Sequence, residues 1–212
     1  MTSYRAKDHY QQEEIASGYD AERFRGLRGR SVDWLEQRLL DKAMEGLEAG
    51  LQVLDLPVGT GRMARYLTSK GHHIVGSDIS LAMMEVGEKL SEGGSVLVRG
   101  DGEALPFADD SFDVAVCFRL LVHLPEEARL NVLRELGRVA RKRVIAVYQP
   151  HRLALWWLFN GLLLRRRLPR YFVPPGDLPD EFAKAGLRLV RSHTLLRSVF
   201  MERAYVLEST RS

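Results

Sequence analysis

Three aspartates recur at a fixed interval along the first half of the chain. Asp55, Asp78 and Asp101 stand 23 residues apart, and each ends or follows a short apolar run: LQVLDL, HHIVGSD and SVLVRGD. Such runs, bounded by turn residues and separated by segments of helical periodicity, read as buried strands of βαβ units. The interval is the length of one strand, one turn and one crossover helix, with no repetition of sequence implied. In a parallel sheet all three carboxylates then fall at the carboxyl ends of the strands, the edge where open α/β sheets bind ligands.

The rest of the pattern extends this reading. SVDWLEQRLLDKAMEGLEAG predicts a helix with Ser31 as N-cap and Gly50 as its stop, its apolar residues at helical spacing. RMARYLTSKG, SLAMMEVGEKLSE with Ser80 as cap, and PEEARLNVLRELGRVA with Pro125 in its first turn predict three more helices. SFDVAVCF and RVIAVYQP predict a fourth and a fifth strand. A short helix over DEFAKAG follows, and GLRLVRSHTLL and SVFMERAYVLE close the chain as extended runs that suit a terminal hairpin. The expected fold is α/β: a Rossmann-like, seven-stranded, mostly parallel sheet with helices on both faces and a C-terminal antiparallel hairpin. Residues 1–50 form an N-terminal helical lid and first helix, 51–150 the core, and 151–212 a substrate-side insertion with the hairpin, all one domain.

Composition narrows the class. Apolar residues make up 45% and charged residues 28%, a globular balance. The single cysteine, Cys117, cannot form an internal disulfide, which points to a reducing, cytoplasmic compartment. The polar N-terminal stretch has no apolar h-region, and no run reaches the roughly 18 residues of a membrane span. Charge is unevenly spread. Between Leu136 and Gly176 there are nine bases and no acid, while the remainder carries an excess of acids. That asymmetry suggests a local contact with something anionic.

Three motifs carry chemistry. In VLDLPVGTGR, Gly59, Thr60 and Gly61 form a turn that lets a ligand approach the main chain, and the next helix aims its first amides at it. Asp55, at the strand end, can pair with an ammonium group. A ligand bearing both an amine and a carboxylate suits this turn, and the methionine part of S-adenosylmethionine (SAM) has both. Asp78 in VGSDIS can accept both hydroxyls of a ribose, or else cap the next helix. Asp101 in GDGEALPF can accept from an adenine amino group, with Leu105, Pro106 and Phe107 as a rigid apolar turn.

Together VLDLPVGTGR, SDIS, GDGEALPF and SFDVAVCFRLLVHL resemble the class I SAM-dependent methyltransferases, in particular the small bacterial type with a DAEALPF-like third motif. The resemblance runs from Val53 to Tyr148. It implies that Gly59, Thr60 and Gly61 with Asp55 hold the methionine part of SAM, Asp78 the ribose and Asp101 the adenine. Ile79 and Gly102 would flank the base, Phe118 would follow the fourth strand, and Tyr19 would close the pocket as part of a lid. One departure is Pro57, where the family often has glycine. No metal is expected.

The acceptor is open. A methyl transfer needs a nucleophile aligned with the sulfonium methyl and shielded from water, with a base only where the acceptor carries a firmly held proton. His123 is the first candidate base, Arg119 a holder of an anionic acceptor or of the SAM carboxylate, and Tyr148 a further candidate. Trp156, Trp157 and Phe159 beside Arg165, Arg166, Arg167 and Arg170 suit either an interfacial contact of residues 151–172 with anionic membrane at its inner face or a cap packed over the pocket. A small-molecule or amphiphilic acceptor, anionic in one version, follows. The lack of an Asn/Asp-Pro-Pro-aromatic signature after the fourth strand argues against nucleic acid, although RNA methylation stays an alternative. So do a non-catalytic SAM-binding, partner-binding protein and a nicotinamide-dependent oxidoreductase. For the oxidoreductase, Gly59 to Ala64 matches GxGxxG/A in form. Against it, a carboxylate at position 55 would repel a pyrophosphate.

Overall fold

The computed structural model describes residues 26–90, 95–148, 171, 173–195 and 202–211. Its elements follow the chain as α1 (Gly26–Met44), β1 (Gln52–Asp55), α2 (Arg62–Ser69), β2 (His73–Asp78), α3 (Leu81–Leu90), β3 (Val96–Arg99), β4 (Phe112–Phe118), a 3₁₀ turn (Leu121–His123), α4 (Glu126–Val139), β5 (Ala140–Tyr148), α5 (Leu178–Lys184), β6 (Leu187–Thr194) and β7 (Arg203–Ser209). The strands form one seven-stranded sheet in the order β3-β2-β1-β4-β5-β7-β6. β1 to β5 pair in parallel, and β7 runs antiparallel to both β5 and β6. This is the expected mostly parallel sheet with a C-terminal antiparallel hairpin.

Alternation along the central strands divides the core in two. Val114, Val116, Ile145, Val147, Ala204 and Val206 face α1, α2 and α3. Ala115, Cys117, Val144, Ala146, Tyr205 and Leu207 face α4 and α5. Because the strand period is two, both faces must be apolar, and the strands accordingly read as near-continuous apolar runs. Cys117 is fully buried in β4, flanked by β1 and β5.

Three helix ends differ from expectation. Ser31 does not cap α1, because the helix already runs from Gly26, so Ser31 lies inside it and is exposed. Gly50 does not end it either. The helix stops at Met44, and Gly46 with φ +83° turns the chain first. Pro125 is the N-cap of α4 and not a residue of its first turn. The Ser80 cap is present, its Oγ accepting from the Met83 amide at 3.3 Å.

The C-terminal carbonyls of α1 are capped from the sheet. Arg143 on β5 donates to Ala43 O (2.9 Å) and Glu45 O (3.2 Å), and Arg191 on β6 to Glu45 O (2.6 Å). Guanidinium groups at a helix C-terminus satisfy orphan carbonyls and complement the dipole. Among the bases of the acid-free stretch, Arg141 and Lys142 lie within 3.4 Å and 3.3 Å of Asp113, and Arg138 pairs with Glu135 and Asp109. The described part of that stretch thus works inside the fold. Arg152, Arg165, Arg166, Arg167 and Arg170, and with them the contact expected of residues 151–172, lie outside the described residues.

Candidate active site

The turn after β1 is built by backbone hydrogen bonds to its two neighbouring strands. The Leu56 amide donates to Val116 O on β4 and the Val58 amide to Ser77 O on β2, both at 2.9 Å, and the Leu56–Pro57 peptide is cis. The Gly61 amide then closes on Val58 O at 2.9 Å. Gly59 (φ +53°) and Gly61 (φ +74°) take left-handed angles that a side chain disfavours. Gly61 is the N-cap of α2 and supplies no side-chain cap, which leaves the first amides of that helix aimed at the turn. On the other side Gly87 of α3 packs on the turn, where an added Cβ would lie 3.1 Å from Thr60 C.

Beneath this turn sits Asp55. It is 1% exposed, and neither carboxylate oxygen completes a hydrogen bond among the described residues. Burial raises its pKa to about 7. Arg62 pulls it down, Asp78 pushes it further up, and the Ala64 amide pulls it down again. An unpaired buried carboxylate is costly. The donor set that would relieve it is a cation small enough to reach a strand end beside a helix N-terminus, as an α-ammonium group is.

Asp78 ends β2 and is nearly buried. Its Oδ2 accepts from the Gly59 amide and its Oδ1 from the Ser80 amide, both at 2.9 Å. It therefore ties the first turn to the second, and burial holds its pKa above the usual carboxylate range against those amides. Each oxygen keeps a further lone pair for a ligand hydroxyl. Ile79 follows, half-buried, its carbonyl accepting from Arg99 Nε at 3.3 Å. Asp101, two residues beyond the end of β3, opens a turn in which its Oδ1 accepts from the Glu103 amide (3.1 Å) and its carbonyl from the Ala104 amide (2.9 Å). Gly102 faces Leu56, Val132 and Leu120 with little room for a Cβ. Since β1, β2 and β3 are adjacent and parallel, the structure brings all three aspartates to one edge of the sheet.

Beyond β4 the rim holds ion pairs that the sequence reading missed. Phe118 is buried, and Arg119 takes φ +60°, a left-handed angle rare outside glycine. The Arg119 guanidinium pairs with Glu36 of α1 and, at 2.5 Å, with Glu202 ahead of β7. Arg62, next to the glycine turn, pairs with Glu36 and Asp33. Glu36 and Glu202 are 0% and 2% exposed, so these are buried charges, and they latch α1 and the chain before β7 to the cofactor side of the sheet. Arg119 is thus committed to protein carboxylates in this structure. One signal was available: Glu36 lies in the apolar stripe of α1, three and four residues before Leu39 and Leu40.

His123 ends the 3₁₀ turn, half-buried. Tyr148 does not open onto the rim. It is 3% exposed, and its hydroxyl donates to Glu181 Oε1 at 3.1 Å. Glu181 is itself paired with Arg129 at 2.6 and 2.7 Å, and the Tyr148 ring lies edge-on to Phe182 and Tyr205. Burial first, then Glu181, drives its pKa well up. A phenol so held is a packing and hydrogen-bonding group between β5 and α5, not an available base. Tyr19 lies outside the described residues.

The sheet order and terminal hairpin are those of the Rossmann-like methyltransferase fold. The magnesium protoporphyrin IX methyltransferase of Synechocystis PCC 6803 with bound S-adenosylhomocysteine (SAH) superposes with a TM-score of 0.74 at 20% identity, over 96% of this chain and 98% of that one. A methyltransferase-domain family matches residues 53–143. A methyltransferase of Mycobacterium sp. (strain KMS), itself uncharacterized, is 34% identical over 183 residues, 82% of this chain and 70% of that protein. The demethylmenaquinone methyltransferase of Paenarthrobacter aurescens is 30% identical over 173 residues. This chain belongs to the class I SAM-dependent methyltransferases, whose cofactor is SAM. The matched regions span 40% to 66% of the lengths of four demethylmenaquinone methyltransferases it resembles. The nicotinamide alternative finds no support in these relationships.

Proposed function

We propose that this chain transfers the methyl group of SAM to a small, lipid-like acceptor of quinone type. The observation that carries the cofactor half is Asp55, fully buried and without a complete hydrogen bond beneath a glycine turn. When bound, SAM supplies a methyl already activated by its sulfonium. Asp55 accepts from the ammonium of the methionine part, and the first amides of α2 with Gly59, Thr60 and Gly61 receive its carboxylate. Asp78 accepts the ribose hydroxyls through its remaining lone pairs. Asp101 accepts from the adenine amino group between Ile79 and Gly102. Phe118 walls the pocket, and the Arg119 ion pairs keep α1 in place. His123, on the rim past β4, is the group proposed to take a proton from the acceptor at a ring nitrogen.

The acceptor half rests on two things: the demethylmenaquinone methyltransferases among the relatives, and the tryptophan- and arginine-rich composition of residues 151–172. Such a composition suits an amphiphile taken from the inner face of an anionic membrane. Among the described residues no helix is long and apolar enough to cross a membrane.

Methyl-labelled SAM incubated with lipid, small-molecule and RNA pools tests the reading. Label in the organic-extractable lipid pool is the expected result, and label in the RNA pool overturns the acceptor assignment. Calorimetry with SAM and with NAD tests the cofactor assignment separately, and heat with NAD alone would end it.

A further inference from the structure

We propose that the outer ridge of α1 is a docking surface for an anionic lipid bilayer. The proposal rests on the lipid-acceptor reading for its purpose, not for its geometry.

Residues four apart on a helix line one ridge of its surface. On α1 the exposed ridge is Arg30, Trp34, Arg38 and Lys42, three bases and a tryptophan. Trp34 is 55% exposed and the Arg38 side chain 59%. The Arg38 guanidinium lies over the Trp34 ring, 5.5 Å from its centre. The acids of the helix are engaged on its flanks and underside. Asp33 pairs with Arg62 and accepts from Gln37 at 3.1 Å. Glu36 is buried and pairs with Arg62 and Arg119. Asp41 accepts the Tyr66 hydroxyl at 2.7 Å and stands 3.9 Å from Arg38.

Positive charge continues past the helix end. Arg143 of β5 and Arg191 of β6, the edge strand, cap the last carbonyls of α1. His193 of β6 feels the same cations: burial first, then Arg191, Lys42 and Arg143, hold its imidazole below the ordinary pKa, with Glu45 opposing. Lys42 thus joins the ridge to a second group of bases.

Such a surface is complementary to anionic headgroups, where each base strengthens binding by about fivefold. The exposed tryptophan supplies the apolar part of an interfacial contact. Nucleic acid suits this ridge less well. A single strand needs a groove with successive aromatic platforms, whereas the ridge is convex and holds one ring, already covered on one side by Arg38. Docking through α1 also orients the site. Leu39, Leu40 and Ala43 seat the helix on the sheet, fully buried, and Glu36 ties it to Arg62 and Arg119 at the cofactor edge.

The test is sedimentation of the full chain with vesicles of phosphatidylcholine alone and of phosphatidylcholine with phosphatidylglycerol. Binding to the anionic vesicles only, weakening as salt rises, is the expected result. Replacing Arg30, Arg38 and Lys42 together by glutamine should lower it by about a hundredfold, and Trp34→Ser by about tenfold. An unmodified affinity for SAH shows that these surface variants are folded. Fluorescence gives a second reading. With Trp156→Phe and Trp157→Phe, Trp34 is the sole tryptophan, and its emission should shift to the blue and be quenched by brominated lipid in anionic vesicles. No binding of the unmodified protein, full binding of the triple variant, or unchanged Trp34 emission on bound vesicles each overturns the proposal. Retention on single-stranded RNA in place of vesicles overturns it in favour of a nucleic-acid surface. Methyl label in detergent-dispersed lipid without vesicle binding sinks the docking and spares the acceptor assignment; vesicle binding with label in the RNA pool does the reverse.

Discussion

Because Asp55 is buried and unrelieved, cofactor binding should be coupled to proton release. Its pKa stands at about 7, raised first by burial. Below that value the carboxyl is protonated and cannot pair with an ammonium, so a proton must leave when SAM or SAH binds. For one such group, affinity falls about eightfold between pH 6.5 and pH 5.5, approaching tenfold per unit. The window is chosen because the ligand's α-amino group, with a pKa near 8, stays charged throughout it. Titration calorimetry with SAH in buffers of different ionisation enthalpy gives both the affinity and the proton count, which should approach one released at the acid end. Asp78 is also raised and adds in the same direction, so the decisive comparison is Asp55→Asn. D55N should bind weakly at every pH and lose most of the slope. A flat profile in the unmodified protein, or an undiminished slope in D55N, would refute the coupling.

The same carboxylate bears on stability. With its folded pKa raised above the unfolded 3.8, the native state holds more protons than the unfolded state between about pH 4 and pH 7, so stability attributable to Asp55 rises as pH falls through that range. In the absence of cofactor, D55N should therefore raise stability by up to about 4 kcal/mol at pH 8, by less than half of that at pH 5, and hardly at all near pH 3, read as the shift in melting temperature. Arg129→Met strands Glu181 as an unpaired buried charge and should cost about 3–5 kcal/mol in chemical denaturation. Tyr148→Phe deletes one hydrogen bond, should cost about 1 kcal/mol, and should leave turnover intact; a large loss of kcat with stability unchanged would restore Tyr148 as a catalytic candidate. Glu36→Gln removes the charge shared by Arg62 and Arg119 and should destabilise α1 on the rim, read as faster hydrogen exchange in residues 30–44.

The parts of the fold visible in the sequence are those whose information is local. Period-two and period-3.6 apolar patterns marked β1 to β5 and the crossover helices. The even spacing of Asp55, Asp78 and Asp101 alone puts three carboxylates at one edge. What the chain concealed is pairing across distance. Arg119 meets Glu36 across 83 residues, and Arg129 meets Glu181 across 52. No periodicity announces such pairs, although an acid inside the apolar stripe of α1 hints that a cation must come to it. The surroundings of Tyr148 are hidden for another reason: as the last residue of β5 it shares the face of Val144 and Ala146, which α4 and α5 cover. Ser31 looked like a cap because it precedes the apolar repeat, but a helix can begin before its buried stripe does.

The lone thiol of Cys117, shut between β1 and β5 at the centre of the sheet, turns the protein into its own clock. A thiol reagent can reach that sulfur only when β4 parts from its neighbours, so labelling would time the opening of the whole sheet and ignore fraying elsewhere. Adding cofactor should slow that clock by the factor with which it stabilises the fold, so binding could be followed without any substrate in hand.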